Sequence, residues 1–383
     1  MTNIAFLHTV AIDPQKGGIE KVTHTLSHEL RKRGHNVDYI SMMDVYRESC
    51  DREHQIFFPD KKIYSKENET FLKNFLQKKR INIVIFQAGD DKLVPFPHIF
   101  KELQIRLIVA IHTDPEFYKA LVRSKFILKY GKSIANRCSW IIAIKTLLRK
   151  KKQKNIYRKN ARVADSVVLL SSKFIEPFHR YLHIQDKDKV RAIPNPIERS
   201  NTHVEEIHKK QEILYVGRMN LGEKRVDLLL QIWAIIQDEF PEWSLCLVGG
   251  GSDEDKLKKL ASELALKRIS FEGYQNPEPY YRRASIFCLT SAFEGFPMVL
   301  VESSLHRCVP IAFNSSAGLE DIISHGVNGM LVPPSNMEKY ANTLRTLIHD
   351  EPKRRSLSHA AHENAQRFSL GRIIPLWESI LSQ

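Results

Sequence analysis

Short apolar runs, each bounded by a polar turn and followed by a stretch of helical periodicity, recur along the whole chain. In the first half they are NIAFLHTV, NVDYISM, INIVIFQ, IRLIVAIH and SVVLLSS; in the second, EILYVG, SLCLVGGG, ISFEGY, SIFCLTS and VPIAFN. Runs this brief, with helical stretches between them, predict buried parallel strands in β-α-β units. The chain therefore reads as an α/β protein. The pattern starts afresh at Glu212, and the stretch before it, AIPNPIERSNTHVEEIHKKQ at 192–211, holds two prolines and little periodicity. It reads as an interdomain linker.

A chain of 383 residues, 43% hydrophobic and 27% charged, is globular and long enough for two domains. Five cysteines, at 50, 138, 246, 288 and 308, show no C-x-x-C spacing, so neither a disulfide framework nor a zinc cluster is expected and a reducing cytoplasm fits. The start, MTNIAFLHTVAI, lacks a basic region followed by a long apolar one, and no window approaches ~18 uninterrupted apolar residues. Neither export by a signal peptide nor a membrane span is expected.

The net charge of +14 is a local feature. Residues 117–164 hold 15 Lys or Arg and no acid; without them 43 basic residues face 44 acidic ones. In this segment the cations interleave with Phe126, Ile127, Leu128, Trp140, Ile141, Ile142, Ile144, Leu147 and Leu148. The pattern fits a basic amphipathic pair of helices on an anionic membrane surface, with part of the apolar content serving as ordinary core. Nucleic acid is not expected as a partner, because no aromatic stacking platform, zinc module or helix-turn-helix pattern accompanies the charge.

Candidate chemistry clusters where strands end. Gly17-Gly18 lies between the first strand and a helix, where backbone amides and a helix N-terminus suit a phosphate; a plain turn is the alternative. No Walker loop and no G-x-G-x-x-G is present. Arg218 and Lys224 follow the strand EILYV and are placed for a diphosphate, the Arg as a fork and the Lys as a point charge, unless both are surface charges. Gly249, Gly250 and Gly251 follow the next strand, and Gly273-Tyr274 can offer backbone groups and a ring to a flat base. In SAFEGFPMVLVES, Glu294 and Glu302 flank an apolar run, which alone fits solvated acids near a helix start. His24 and His28 lie one turn apart, but without H-E-x-x-H they read as a solvated pair.

Gly217-Arg218 with Lys224, the triple glycine, Phe271-Glu272-Gly273, and Glu294-Gly295-Phe296 with Glu302 resemble the C-terminal half of a retaining GT-B glycosyltransferase of family 4 (glycosyl transferases group 1). The first half agrees through Gly17-Gly18, IHTDP at 111–115 and Pro194-Asn195-Pro196, so the resemblance covers nearly the whole chain. It implies two Rossmann-like domains facing each other across a cleft: an acceptor-binding domain at 1–195 carrying the basic segment 117–164, a nucleotide-sugar-binding domain at 196–365, and a C-terminal helix at 366–383 crossing back to the first domain. It further implies that Glu294 meets the donor sugar and Glu302 the ribose. The backbone of Gly295, Phe296, Pro297, Met298 and Val299 would approach sugar and phosphates. Arg218 and Lys224 would neutralise the diphosphate, with Gly250 nearby, Gly17 and Gly18 contacting it from the opposite domain and Tyr274 flanking the base. His112 would hydrogen-bond a sugar hydroxyl, with Asp114 a weaker candidate on the acceptor side.

The implied activity is transfer of a hexose or N-acetylhexosamine, with retention and without cofactor or obligatory metal, from a UDP-sugar, a GDP-sugar remaining open. The expected acceptor is a lipid-linked or cell-surface glycan, as in lipopolysaccharide or capsule biosynthesis, met at the cytoplasmic membrane face by a peripherally associated enzyme. Rival readings are a soluble transferase acting on a small molecule, a sugar-nucleotide epimerase, and a non-catalytic basic adaptor for RNA or membranes. Two departures stand out: Glu223-Lys224-Arg225 replaces the family's frequent Glu-Lys-Gly, and Pro194-Asn195-Pro196 its frequent Pro-Asn-Gly.

Overall fold

A computed structural model describes residues 1–15, 17–45, 53–88, 92–182, 188–198 and 209–383. The chain forms two compact units, one of Met1–Pro115, Lys150–Arg199 and Phe368–Gln383, the other of Glu116–Arg149 and Ser200–Arg367.

The first unit is built on seven strands: β1 (Asn3–His8), β2 (Asn36–Ser41), β3 (Gln55–Phe57), β4 (Ile83–Ala88), β5 (Arg106–Ile111), β6 (Ser166–Leu169) and β7 (Val190–Ala192). They lie in the order β3-β2-β1-β4-β5-β6-β7, every pair parallel. The order reverses beside β1, the topology that opens a ligand crevice at strand C-termini. The C-terminal helix Leu370–Leu381 buries Ile373, Ile374, Trp377 and Ile380 in this unit's core with Ile4, Leu26 and Leu30. It is fixed by Arg106, whose guanidinium donates to the carbonyls of Ile380 (2.7 Å) and Leu381 (3.2 Å).

The second unit carries β8 (Lys210–Val216), β9 (Ser244–Val248), β10 (Ile269–Phe271), β11 (Ala284–Leu289), β12 (Val309–Phe313) and β13 (Met330–Val332), ordered β10-β9-β8-β11-β12-β13 and again parallel. Its core is led by Trp233, Tyr215, Leu229, Ile286 and Tyr340.

Ten strands coincide with the apolar runs of the sequence. The other three, β3, β7 and β13, have three residues each and sit at the ends of their sheets, too short for a periodic signal to rise above a loop. Of the expected linker at 192–211, Ile197 is anchored by its amide to the carbonyl of Phe368 (2.8 Å), and residues 199–208 lie outside the described residues.

The basic segment is not a pair of helices but three: Tyr118–Tyr130, Lys132–Arg137 and the 25-residue Ser139–Val163. Gly131 adopts φ +83 at the first junction, a left-handed turn that a Cβ would strain. Phe126, Ala135 and Ile142 form a small core that Val122, Ile127 and Ile141 pack against. The segment's start belongs to the second unit, where Phe117 meets Phe293 at 5.9 Å and the Ser124 hydroxyl donates to the Gly222 carbonyl.

Candidate active site

In the second unit, loops after four adjacent strands converge backbone to backbone. The Gly249 amide donates to the Gly273 carbonyl at 2.7 Å. Gly249 has φ +122, and a Cβ there would lie 2.1 Å from the Gly217 oxygen. Only glycine allows the loops after β8, β9 and β10 to close on each other this way. A Cβ on Gly250 would strike the Tyr274 ring at 2.8 Å, so this ring lies against the glycine loop while remaining 75% exposed. An exposed aromatic face backed by main chain is shaped to stack a planar group.

The loop 218–225 is tied to the end of β11. The Ala292 amide donates to the Glu223 carbonyl (2.7 Å), and the Thr290 hydroxyl lies 3.2 and 3.0 Å from the carbonyls of Lys224 and Arg225. This fixes Lys224, whose ammonium donates to Glu294 Oε1 at 2.7 Å; the side chains are 19% and 9% exposed. The cation and the acid expected at diphosphate and sugar thus hold each other. Arg218 reaches further into solvent, its side chain 62% exposed, and pairs with Glu223 at 2.9 Å. Below it the Tyr215 hydroxyl donates to the Arg218 carbonyl at 2.9 Å. Burial and the neighbouring Glu294 push that phenol well above its usual range, so it stays a donor.

Glu294 is buried, Gly295 half-buried, Phe296 and Pro297 buried. Pro297 caps the helix Met298–Leu305, and the first turn, Met298 and Val299 included, carries no acid to compete for its amides. One turn on, Glu302 Oε2 accepts a hydrogen bond from the Tyr281 hydroxyl at 2.9 Å. Burial first, then the Glu302 charge, raises the Tyr281 pKa well above normal.

In the first unit, Gly17 is the N-cap of helix Gly18–Lys32. A Cβ on Gly17 would fall 2.1 Å from Glu20 Oε2, whereas one on Gly18 would meet nothing within 4 Å. Glu20 therefore reaches back over the helix N-terminus as a capping-box acid does, and an anion bound there must displace it. His8, Gln87 and His112 stand at the ends of adjacent strands β1, β4 and β5. His112 Nε2 donates to Gln87 Oε1, which leaves Nδ1 as an acceptor, and that atom has no partner among the described residues. Burial, then the nearby His8, pushes the His112 pKa down to about 3. The ring is neutral and suited to accept from a hydroxyl. Beyond it Thr113 Oγ1 meets the Tyr157 hydroxyl at 3.0 Å, and Asp114 is half-buried.

Several of these groups escape sequence reading. Gln87, Tyr215 and Tyr281 sit in strand or helix positions whose pattern signals only burial; Glu20 alone had a signal, as an acid three residues after a glycine N-cap.

Two parallel-sheet Rossmann-like units, each with its charged and glycine-rich loops at strand C-termini, define a GT-B glycosyltransferase. Residues 16–201 match the family described as Glycosyltransferase Family 4 and residues 198–364 that described as Glycosyl transferases group 1. The chain belongs to this family of glycosyltransferases.

An uncharacterized glycosyltransferase of Haemophilus influenzae is 24% identical over 95% of this chain and 96% of its own length. The amylovoran biosynthesis glycosyltransferase AmsD of Erwinia amylovora is 27% identical over 72% of this chain and 70% of its own. Among solved structures, HepE of Anabaena in complex with UDP superposes with a TM-score of 0.76 at 18% identity, all of both chains being covered. The lipopolysaccharide outer core galactosyltransferase WaaB in its apo form gives 0.71 at 20% identity, over 100% of this chain and 99% of that one.

Proposed function

We propose that the enzyme transfers a hexose or N-acetylhexosamine from a UDP-sugar, with retention at the anomeric carbon, to a lipid-linked or cell-surface glycan at the cytoplasmic face of a membrane. The observation that carries this reading is the Lys224–Glu294 pair (2.7 Å), the lysine half-buried and the acid buried, beside a helix N-terminus free of acids, with Glu302 held one turn further on. A diphosphate leaving group needs positive charge. Lys224, Arg218 and the Met298–Val299 amides supply it without an obligatory metal ion. Glu302 is the ribose acceptor, Tyr274 the base platform, and Glu294 the acceptor for donor-sugar hydroxyls.

In the transfer step the bond between the anomeric carbon and the diphosphate oxygen breaks, and the acceptor hydroxyl attacks from the same face. The acceptor proton passes to the departing phosphate oxygen, so no protein nucleophile is consumed. His112, neutral and with Nδ1 open, orients a sugar hydroxyl. The UDP complex of HepE supports the choice of nucleotide. AmsD and WaaB, named for amylovoran and lipopolysaccharide, support a surface-polysaccharide acceptor.

The test is a panel of nucleotide sugars incubated with membrane extract, with UDP or GDP release followed by a coupled assay and the product anomer read by NMR. Release of UDP, an α product from an α donor, and activity that survives EDTA are the expected results. An inverted product or loss of activity with EDTA refutes the corresponding part.

A further inference from the structure

The helix Ser139–Val163 is laid down with its sides reversed over its first three turns. Its inward line runs through Ile142, Thr146, Arg149 and Gln153, all buried or half-buried, and three of these four are polar. Its outward side shows Trp140 (64% exposed), Ile144 (51%), Leu147 (65%) and Leu148 (64%). Spacings of four, seven and eight residues place these four on one continuous helical stripe. Among the described residues, eight of the fifteen exposed large apolar side chains fall within 117–164. That is a concentration rather than the single scattered residues of an ordinary surface. Beyond Leu148 the same side continues through Lys151, Asn155, Arg158 and Arg162, next to exposed Lys150 and Lys152. Ile141, by contrast, packs against the small core, which removes it from the outward set.

We propose that this stripe is the surface by which the enzyme lies on an anionic lipid bilayer. Trp140, Ile144, Leu147 and Leu148 enter the interfacial layer, while Lys150, Lys151 and Lys152 face the phosphate headgroups. None of the described helices is long and apolar enough to cross a membrane, so the helix lies in the interface plane. Charge complementarity selects this occupant over a second copy of the chain. The segment offers 15 cations and no acid, which a copy would oppose with like charge and an anionic bilayer matches while also accepting apolar side chains. The inference deepens the reading of a membrane-borne acceptor and rests on it for its purpose, but docking itself is measured without donor or acceptor.

The protein supplies its own probe, because Trp233, Trp243 and Trp377 are buried and Trp140 is exposed. The full chain is mixed with vesicles of phosphatidylglycerol and phosphatidylcholine in equal parts, or of phosphatidylcholine alone. Tryptophan emission and co-sedimentation are read at low and high salt. Expected are a blue shift and pelleting with the anionic vesicles only, both weakened by salt. The shift should be absent in Trp140→Phe, which keeps the apolar surface. The triple variant Ile144→Ser, Leu147→Ser, Leu148→Ser and the triple variant Lys150→Gln, Lys151→Gln, Lys152→Gln should each lower the partition coefficient by about tenfold or more. UDP release in solution should survive in both, showing that they fold. Equal pelleting of wild type and both variants overturns the proposal, as does a failure of wild type to pellet. A Trp140 shift that tracks protein concentration without lipid, with dimers in sedimentation velocity, overturns it in favour of a second copy. Vesicle binding without UDP release from any donor would instead sink the proposed function and leave the docking surface standing.

Discussion

Replacing Tyr281 by Phe removes one hydroxyl from behind the carboxylate assigned to the ribose. The ring is buried, stacked on His306 (centroids 6.0 Å apart, 9° between planes) and tilted against Phe287 at 5.9 Å, so Phe fills the same space and opens no cavity. What is lost is the 2.9 Å hydrogen bond to Glu302 Oε2. A hydrogen bond to a charged group contributes about 1.5–3 kcal/mol. Glu302 is half-buried, and water recovers part of this, leaving a net loss of about 1 kcal/mol in stability. If the hydroxyl fixes the carboxylate for the ribose, a similar amount appears in nucleotide binding, roughly a fivefold rise in the Kd of UDP.

Calorimetric titration with UDP and, separately, with inorganic pyrophosphate distinguishes positioning from general loosening. Pyrophosphate carries no ribose, so its affinity should be unchanged in Tyr281→Phe while that of UDP falls. In turnover assays the KM for donor should rise with kcat nearly constant, the signature of lost uniform binding. Because the hydroxyl stays protonated in the folded protein, the defect should not vary between pH 6 and 9. Equal weakening of both ligands, or of neither, refutes the assignment of Tyr281 as the residue that positions Glu302.

Other perturbations give independent checks. Lys224→Ala should cut turnover by the ~2–4 kcal/mol of a preorganised contact to a leaving group, about 30- to 1,000-fold, and lower stability by stranding the buried Glu294; a loss under tenfold places Lys224 outside the site. Glu294→Gln should lower kcat strongly with UDP affinity nearly unchanged, and parallel losses in both count against a sugar contact. Arg225 holds φ +49 and pairs with Asp227 at 2.8 Å, so Arg225→Gly gains back about 1 kcal/mol of left-handed strain that Arg225→Ala does not. Gly should therefore melt above Ala, and the reverse order rejects the strain. His112 keeps its neutral form down to about pH 3 when folded but protonates near 6.5 when unfolded. Its contribution is thus present above about pH 6.5 and shrinks as pH falls toward 3, by on the order of 2 kcal/mol at pH 5. Urea melts of His112→Asn at pH 7 and 5 should lack that part of the acid sensitivity, and an unchanged slope contradicts the buried neutral ring.

What the sequence shows of this protein follows from which physical signals are local. Buried parallel strands announce themselves as unbroken apolar runs, as in IVIF of β4 and LIVAI of β5. A residue such as Glu294 or Arg218 is conspicuous because a charge just past such a run has no packing role. The family's Glu-Lys-Gly also became intelligible only with backbone angles, since position 225 is left-handed and Arg occupies it at a cost partly offset by its ion pair with Asp227.

Partners are less legible than the residues they hold. Tyr281 and Gln87 each place a polar group on an otherwise interior position, and the partner, the Glu302 carboxylate that accepts from Tyr281 or the His112 ring that donates to Gln87, lies 21 or 25 residues away. The basic segment shows the same limit most clearly. In the run Trp140-Ile141-Ile142 three adjacent apolar residues look alike, yet Ile142 enters the small core, Ile141 packs on it and Trp140 faces outward. Helical geometry forces such a division, because consecutive residues point about 100° apart around the axis. Which one faces out is decided by where Phe126 and Ala135 sit, on helices that precede it. Composition could therefore announce a basic, apolar-studded surface. Only the packing of Ile142 decides that the stripe of Trp140, Ile144, Leu147 and Leu148 is the part of it left uncovered.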